Sequence, residues 1–227
     1  MMLLALALAP AFVIMIYIYI KDKYEKEPIK LLLKNFGLGA TASIIMTLII
    51  GTIVKLMFPT ANPLSVFEQF IKAFVVVALV EEFSKYVIVR YYAQRNKEFD
   101  EPFDGIVYAV MVSMGFAALE NVMYVFQFGM ANGIVRAFSA VPAHATFGIL
   151  MGYYMGKAKF AATKKDKIRL NLTGLLMAVL FHGAYDFFLF INFIPGISIG
   201  AFASLVIGIV LSRKAIKKHQ EVSKFKH

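Results

Sequence analysis

Two adjacent carboxylates and a lysine interrupt a stretch that otherwise reads as lipid-buried helix: Glu81, Glu82 and Lys85, in the run Val80-Glu81-Glu82-Phe83-Ser84-Lys85-Tyr86. An ionisable side chain at membrane depth costs roughly 2.5 kcal/mol or more, so three within five positions require an explanation, and function is the default one. Further along, Glu120 with Asn121, His144, and the pair His182 and Asp186 also sit inside apolar runs. His182 and Asp186 share a helix face, as a histidine and its orienting acceptor would. Two histidines and several carboxylates, with no Cys and no serine in an obvious nucleophile setting, suit water activation. A carboxylate would act as general base, one histidine would orient the water, and another group would stabilise an oxyanion. The catalytic candidates are therefore Glu81, Glu82, Glu120, His144, His182 and Asp186. Histidine and carboxylate also suit zinc, but no HExxH or similarly tight spacing occurs. No metal or other cofactor is assigned, and a labile zinc ion is left open.

Plainer readings exist for each group. Glu81 and Lys85 are four apart and suit a structural ion pair, although that leaves Glu82 without a local partner. Glu120 and Asn121 suit a tie between helices. His144 alone would be a packing histidine. Asp100, Glu101 and Asp104 read as loop and cap residues.

The elements that must position these groups are membrane helices. The chain has 227 residues, 60% of them hydrophobic and only 17% charged, with a mean hydropathy of +0.71. That is too apolar for a soluble domain of this size and marks an all-α polytopic membrane protein. The apolar runs predict about seven transmembrane helices, over residues 1–20, 35–58, 66–89, 104–126, 139–156, 170–190 and 197–211. The first lacks the basic start of a signal peptide and reads as an uncleaved span. His144, Gly148, Gly152 and Gly156 are spaced by four, which puts the histidine on a glycine groove facing a neighbouring helix. A short segment with Gly129, Asn132, Gly133 and Arg136 separates the fourth and fifth runs.

Charge sets the orientation. Of the 24 Lys and Arg residues, 20 fall after runs one, three, five and seven, whereas the opposite side holds only Lys55, Lys72 and Arg136. The N-terminus is therefore expected outside and the C-terminus in the cytoplasm. Because the basic residues flank apolar runs, the net charge of +10 is read as topology and no nucleic-acid partner is implied. Residues 1–212 read as a single membrane domain and 213–227 as a basic cytoplasmic tail. Counting along the helices places Glu81 and Glu82 near the midplane, with Glu120, His144, His182 and Asp186 at or outward of it, which suggests a cavity opening away from the cytoplasm.

The combination VEEFSKY, EPFDGIVYAVMVSMGFAALENVMY, a His-containing run ending in GYYMG, and FHGAYDFF resembles the PrsW family of bacterial intramembrane proteases. These are relatives of the CAAX prenyl proteases and the bacteriocin-processing membrane proteases, and the resemblance covers about residues 67–188. It implies a multi-pass protease of the bacterial cell membrane that cuts a membrane-anchored protein substrate. That substrate would be an anti-sigma factor, cleaved at site 1 on the extracytoplasmic side. It also implies that the paired glutamates, Glu81 and Glu82, and His182 are essential. By analogy with the prenyl-protease relatives, Glu81 would be the base, Glu82 its modulator, and His144 and His182 the ligands of water or oxyanion. Glu120 stands in FxxxE where those relatives carry FxxxH, and Asp186 stands where Asn would be the better donor. The competing readings are a proton- or cation-coupled transporter using the buried carboxylates as a relay, which lacks the expected internal repeat, and a non-catalytic binding scaffold.

Overall fold

The apolar runs become helices whose ends are set by local chemistry, as seen in a computed structural model that describes residues 2–226. Met1 and His227, the outermost residues of the expected first helix and tail, lie outside the described residues. Helix α1 spans Met2–Lys21, and α2 spans Ile29–Met57 directly after Pro28, with one π-helical turn at Gly39–Ser43. Helix α3 covers 66–91. Its N-terminus is capped by the Ser65 side chain accepting from the Glu68 N–H, its middle, Lys72–Leu79, is π-helical, and Val80–Tyr91 closes it as α-helix.

Helix α4, Pro102–Phe138, begins with proline at its first position and a capping box in which the Asp104 side chain accepts from the Glu101 N–H. Helix α5 is Ala140–Lys159, and α7 is Ile199–Glu221. Helix α6, Lys164–Phe190, is capped by Thr163 accepting from the Asp166 N–H. The caps of α4 and α6 include charged residues that the expected spans left in loops, so both helices start earlier than the apolar runs do. Helix α7 continues past residue 212 because Ser212, Ala215, Ile216 and His219, three or four apart, bury one face of the basic segment.

Among the described residues, five stretches are long and apolar enough to cross a membrane: Met2–Lys21, Ile29–Met57, Pro102–Lys159, Lys164–Phe190 and Ile199–Glu221. Two physical facts separate this set from the seven expected spans. Helix α3 carries too many charges to qualify by composition. Pro102–Lys159, 58 residues long, doubles back at Gly129 and only bends at Ser139, so that α5 lies antiparallel to the first part of α4. The reversal is made by Gly129, whose φ of 79° leaves the helical region. Residues 130–138 fold back from there, so that Gly133 packs on Val125 and on Leu6 of α1.

Helix α4 is the axis of the molecule, buried almost without interruption from Phe103 to Ala118. Small residues let its neighbours reach its backbone. Gly39 of α2 faces the Val112 backbone, Gly115 faces Phe36, and Gly105 faces Gly152 and Gly156 of α5. The glycine groove read from the sequence is therefore the α4–α5 seam, with Gly148 against Ser113. A side chain at Gly152 has no room on this seam. Gly152→Leu is expected to destabilise the protein by about 3 kcal/mol through overpacking, whereas Gly37→Ala, which meets nothing, should leave thermal unfolding in detergent unchanged.

Candidate active site

The π-helical stretch of α3 runs directly into Val80, and the next turn aims Glu82 and Lys85 into the bundle while Glu81 lines a cavity. Such π-segments recur at functional sites because they rephase the side chains that follow. Glu82 and Lys85 are almost wholly buried, at 0% and 1% exposure. The Lys85 ammonium donates to Glu82 Oε1 at 2.7 Å, contacts His144 Nδ1 at 3.2 Å, and stands 3.6 Å from Glu81 Oε2. It also lies 4.0 Å above the Phe116 ring, a face that favours a cation. The closer partner of Lys85 is thus Glu82 rather than Glu81, unlike the plain four-apart ion pair.

An ammonium only donates, so His144 Nδ1 accepts and its proton is on Nε2, which lies 2.9 Å from Glu120 Oε2. His182 bridges two carboxylates: Nδ1 is 2.9 Å from Glu82 Oε1 and Nε2 is 3.3 Å from Asp186 Oδ2. A neutral ring donates to only one of them at a time, and an imidazolium to both. Phe147 stacks on the His182 ring at 4.8 Å, and the two histidine rings meet edge to face at 5.2 Å. Helices α3, α4, α5 and α6 thereby bring all six sequence candidates together. Glu81, Glu120, His144, His182 and Asp186 line one cavity of about 490 Å³, and Glu82 lies just behind its wall, bonded to His182.

The structure adds groups that the sequence did not single out. Arg136, counted there as a topological charge, returns on the folded-back segment after Gly129. It donates to Glu120 Oε2 at 2.8 Å and to Asn121 Oδ1 at 2.9 Å, and it packs over Tyr124 at 3.9 Å. Asn121 in turn donates to the Ala7 carbonyl, which ties α4 to α1. Tyr124, Ser139 and Tyr185 also line the cavity. The available signal was a lone arginine in a segment too short to span a membrane, closely preceded by Gly129 and Gly133.

The donors also meet the geometric requirement of a metal site. Glu81, Glu82, His144 and His182 each offer a ligand atom within 4.8 Å of the others. Both histidines turn Nδ1 toward this focus and hold Nε2 against an outer carboxylate, the arrangement that orients metal-bound imidazoles. Glu81 Oε2 and Glu82 Oε2 are buried without hydrogen-bond partners. The residues therefore fit a zinc-type ion, with the Lys85 ammonium as the competing cation at the same focus.

An all-helical membrane protein with paired glutamates and two histidines around a buried polar cavity defines the class of intramembrane hydrolases. The family model described as "PrsW family intramembrane metalloprotease" matches residues 27–212, a wider span than the motifs alone cover. Among curated proteins, the chain is 39% identical over 170 residues to Protease PrsW of Geobacillus kaustophilus, covering 74% of this chain and 71% of that one. It is 40% identical over 170 residues to the Oceanobacillus iheyensis protein of the same name, covering 74% of each. Protease PrsW of Bacillus subtilis is 37% identical over 176 residues, again 74% of each. No solved structure matches. The chain belongs to the PrsW family of intramembrane proteases, and it is a multi-pass membrane protein whose matched relatives are bacterial.

Removing Lys85 would strand Glu82 as an uncompensated buried charge, at a cost of about 3–5 kcal/mol. Lys85→Met is expected to lower thermal stability by that amount, and Lys85→Met/Glu82→Gln to recover part of it. Thermal unfolding of the three purified proteins reads the difference.

Proposed function

We propose that this protein is an endopeptidase that hydrolyses a peptide bond of a membrane-anchored substrate with a water activated by glutamate and histidine. The observation that carries the reading is the convergence of Glu81, Glu120, His144, His182 and Asp186 on one cavity backed by Glu82. Family membership speaks for proteolysis over the transporter and scaffold alternatives.

Glu81 is the base. It lines the cavity, which puts its carboxylate within reach of a water held there. The oxygen of that water adds to the scissile carbonyl carbon, and Glu81 returns the proton to the leaving nitrogen as the C–N bond breaks. Glu82 modulates Glu81 through Lys85, which both carboxylates share. His144 and His182 hold the water and the oxyanion, with Glu120 and Asp186 fixing their rings. Arg136 steadies Glu120 from the cavity mouth.

A second reading, favoured by the four convergent donors, is metal-assisted hydrolysis in which Glu81, Glu82, His144 and His182 hold the ion. A bound zinc ion would supply a more acidic water and polarise the carbonyl.

We assign the chain seven spans, N-terminus out and C-terminus in the cytoplasm, with residues 1–212 as the protease domain and 213–227 as the basic tail. Lys72, Arg136 and Phe190 line the cavity, at the end of the bundle that carries few basic residues. That supports an opening toward the extracytoplasmic side, where a site-1 cut of an anti-sigma factor would fall, as the family resemblance implies.

The test is cleavage of a single-span substrate by the purified protein in liposomes, with and without chelator. Wild type is expected to cut and Glu81→Gln to lose at least about 100-fold in rate. Activity that persists in chelator supports the glutamate route, and loss restored by zinc supports the metal route. Full turnover by Glu81→Gln would overturn the role of Glu81 as base.

A further inference from the structure

A second group of carboxylates lies at the opposite end of α4 from the candidate active site. Asp104 precedes Glu120 by four and a half helical turns, roughly 24 Å along the axis. It meets Glu25 and Glu27 of the α1–α2 connection, and one carboxylate oxygen from each of the three lies within 4.8 Å of the others.

Asp104 is a cap residue, as the sequence suggested, but it and Glu27 are shielded from solvent. Asp104 is 0% and Glu27 1% exposed. Asp104 Oδ2 is used by the N–H groups of Asp100 and Glu101, each at 2.7 Å, and Glu27 Oε2 accepts from the Tyr108 hydroxyl. The other oxygen of each, Asp104 Oδ1 and Glu27 Oε1, is buried with no hydrogen-bond partner, and so is Glu25 Oε2. Among the described residues no lysine or arginine forms an ion pair with any of the three. The nearby bases are otherwise engaged: Lys26 donates to the Tyr19 carbonyl, Lys159, which also feels Asp104, donates to the Gln94 carbonyl, and Lys224 pairs with Asp100 at 3.3 Å.

We propose that Glu25, Glu27 and Asp104 form a binding site for a hard divalent cation of the magnesium, calcium and manganese class. The donors are all oxygen, without the nitrogen or sulfur that would select zinc or copper. Three carboxylates with three orphan oxygens supply the charge and the open valences that such an ion takes. The cation would clasp the α1–α2 connection to the start of α4. The C-terminal segment also docks there, through Ser223 on Glu101 and Lys224 on Asp100. The site is independent of the proteolytic one, and its role is to hold the end of the bundle that the catalytic cavity does not reach.

The test is Mn²⁺ binding to the purified full-length protein in detergent, followed by electron paramagnetic resonance, with Mg²⁺ and Ca²⁺ as competitors. Wild type is expected to bind Mn²⁺ saturably, and Mg²⁺ or Ca²⁺ to displace it. Glu27→Gln should weaken that binding at least about ten-fold, and so should Glu25→Gln, a half-buried position where loss of fold is not expected. Glu82→Gln, in the other cluster, should retain it. Absence of saturable binding to wild type would overturn the site and leave the carboxyls sharing protons. Binding that survives both Glu25→Gln and Glu27→Gln, or that is lost in Glu82→Gln alone, would overturn it as well.

Discussion

The structure turns on one buried charge contact, the Lys85 ammonium on Glu82 at the centre of four helices. Neither charge is tolerable there alone. Once paired, they present a polar focus onto which His144 and His182 lock. Each ring is then fixed from its far side by Glu120 or Asp186, so the network extends outward from the pair to the cavity wall. A hydrophobic replacement of the pair would be as stable or more so. Its presence therefore argues for chemistry rather than for stability.

Positioning such a network in lipid demands close backbone approach, because helix association there relies on packing rather than on water exclusion. Glycines on both sides of α4 provide it, at the seams with α2 and α5. The reversal at Gly129 serves the same site by returning Arg136 to Glu120. The opposite end of α4 uses carboxylates in a different way, gathering the α1–α2 connection and the C-terminal segment around Asp104.

Much of the site was legible in the sequence, because an ionisable residue in an apolar run stands out before any tertiary contact is known. Glu81, Glu82, Glu120, His144, His182 and Asp186 were all visible for that reason. The helical class and the α4–α5 glycine seam followed from hydropathy and four-residue spacing. What escaped were features decided by long-range packing. Arg136 looked like a loop charge because nothing local shows that residues 130–138 fold back. The basic tail hid a helix because its buried positions are few and interspersed with lysine. Asp104 read only as a loop or cap residue because its meeting with Glu27 of the α1–α2 connection exists only in three dimensions. The choice of Glu82 over Glu81 by Lys85 was not legible either, because helical spacing allows both the three-apart and the four-apart contact.

The proposed hydrolysis depends on the buried network, in which Glu82 holds the His182 ring at 2.9 Å and so should act with it as one unit. A double-mutant cycle on the cleavage rate in liposomes tests it most directly, with wild type, Glu82→Gln, His182→Ala and the double variant. The account predicts that each single change abolishes most of the rate and that the double variant is no slower than the slower single. Losses that multiply, or wild-type turnover by either single variant, would contradict it.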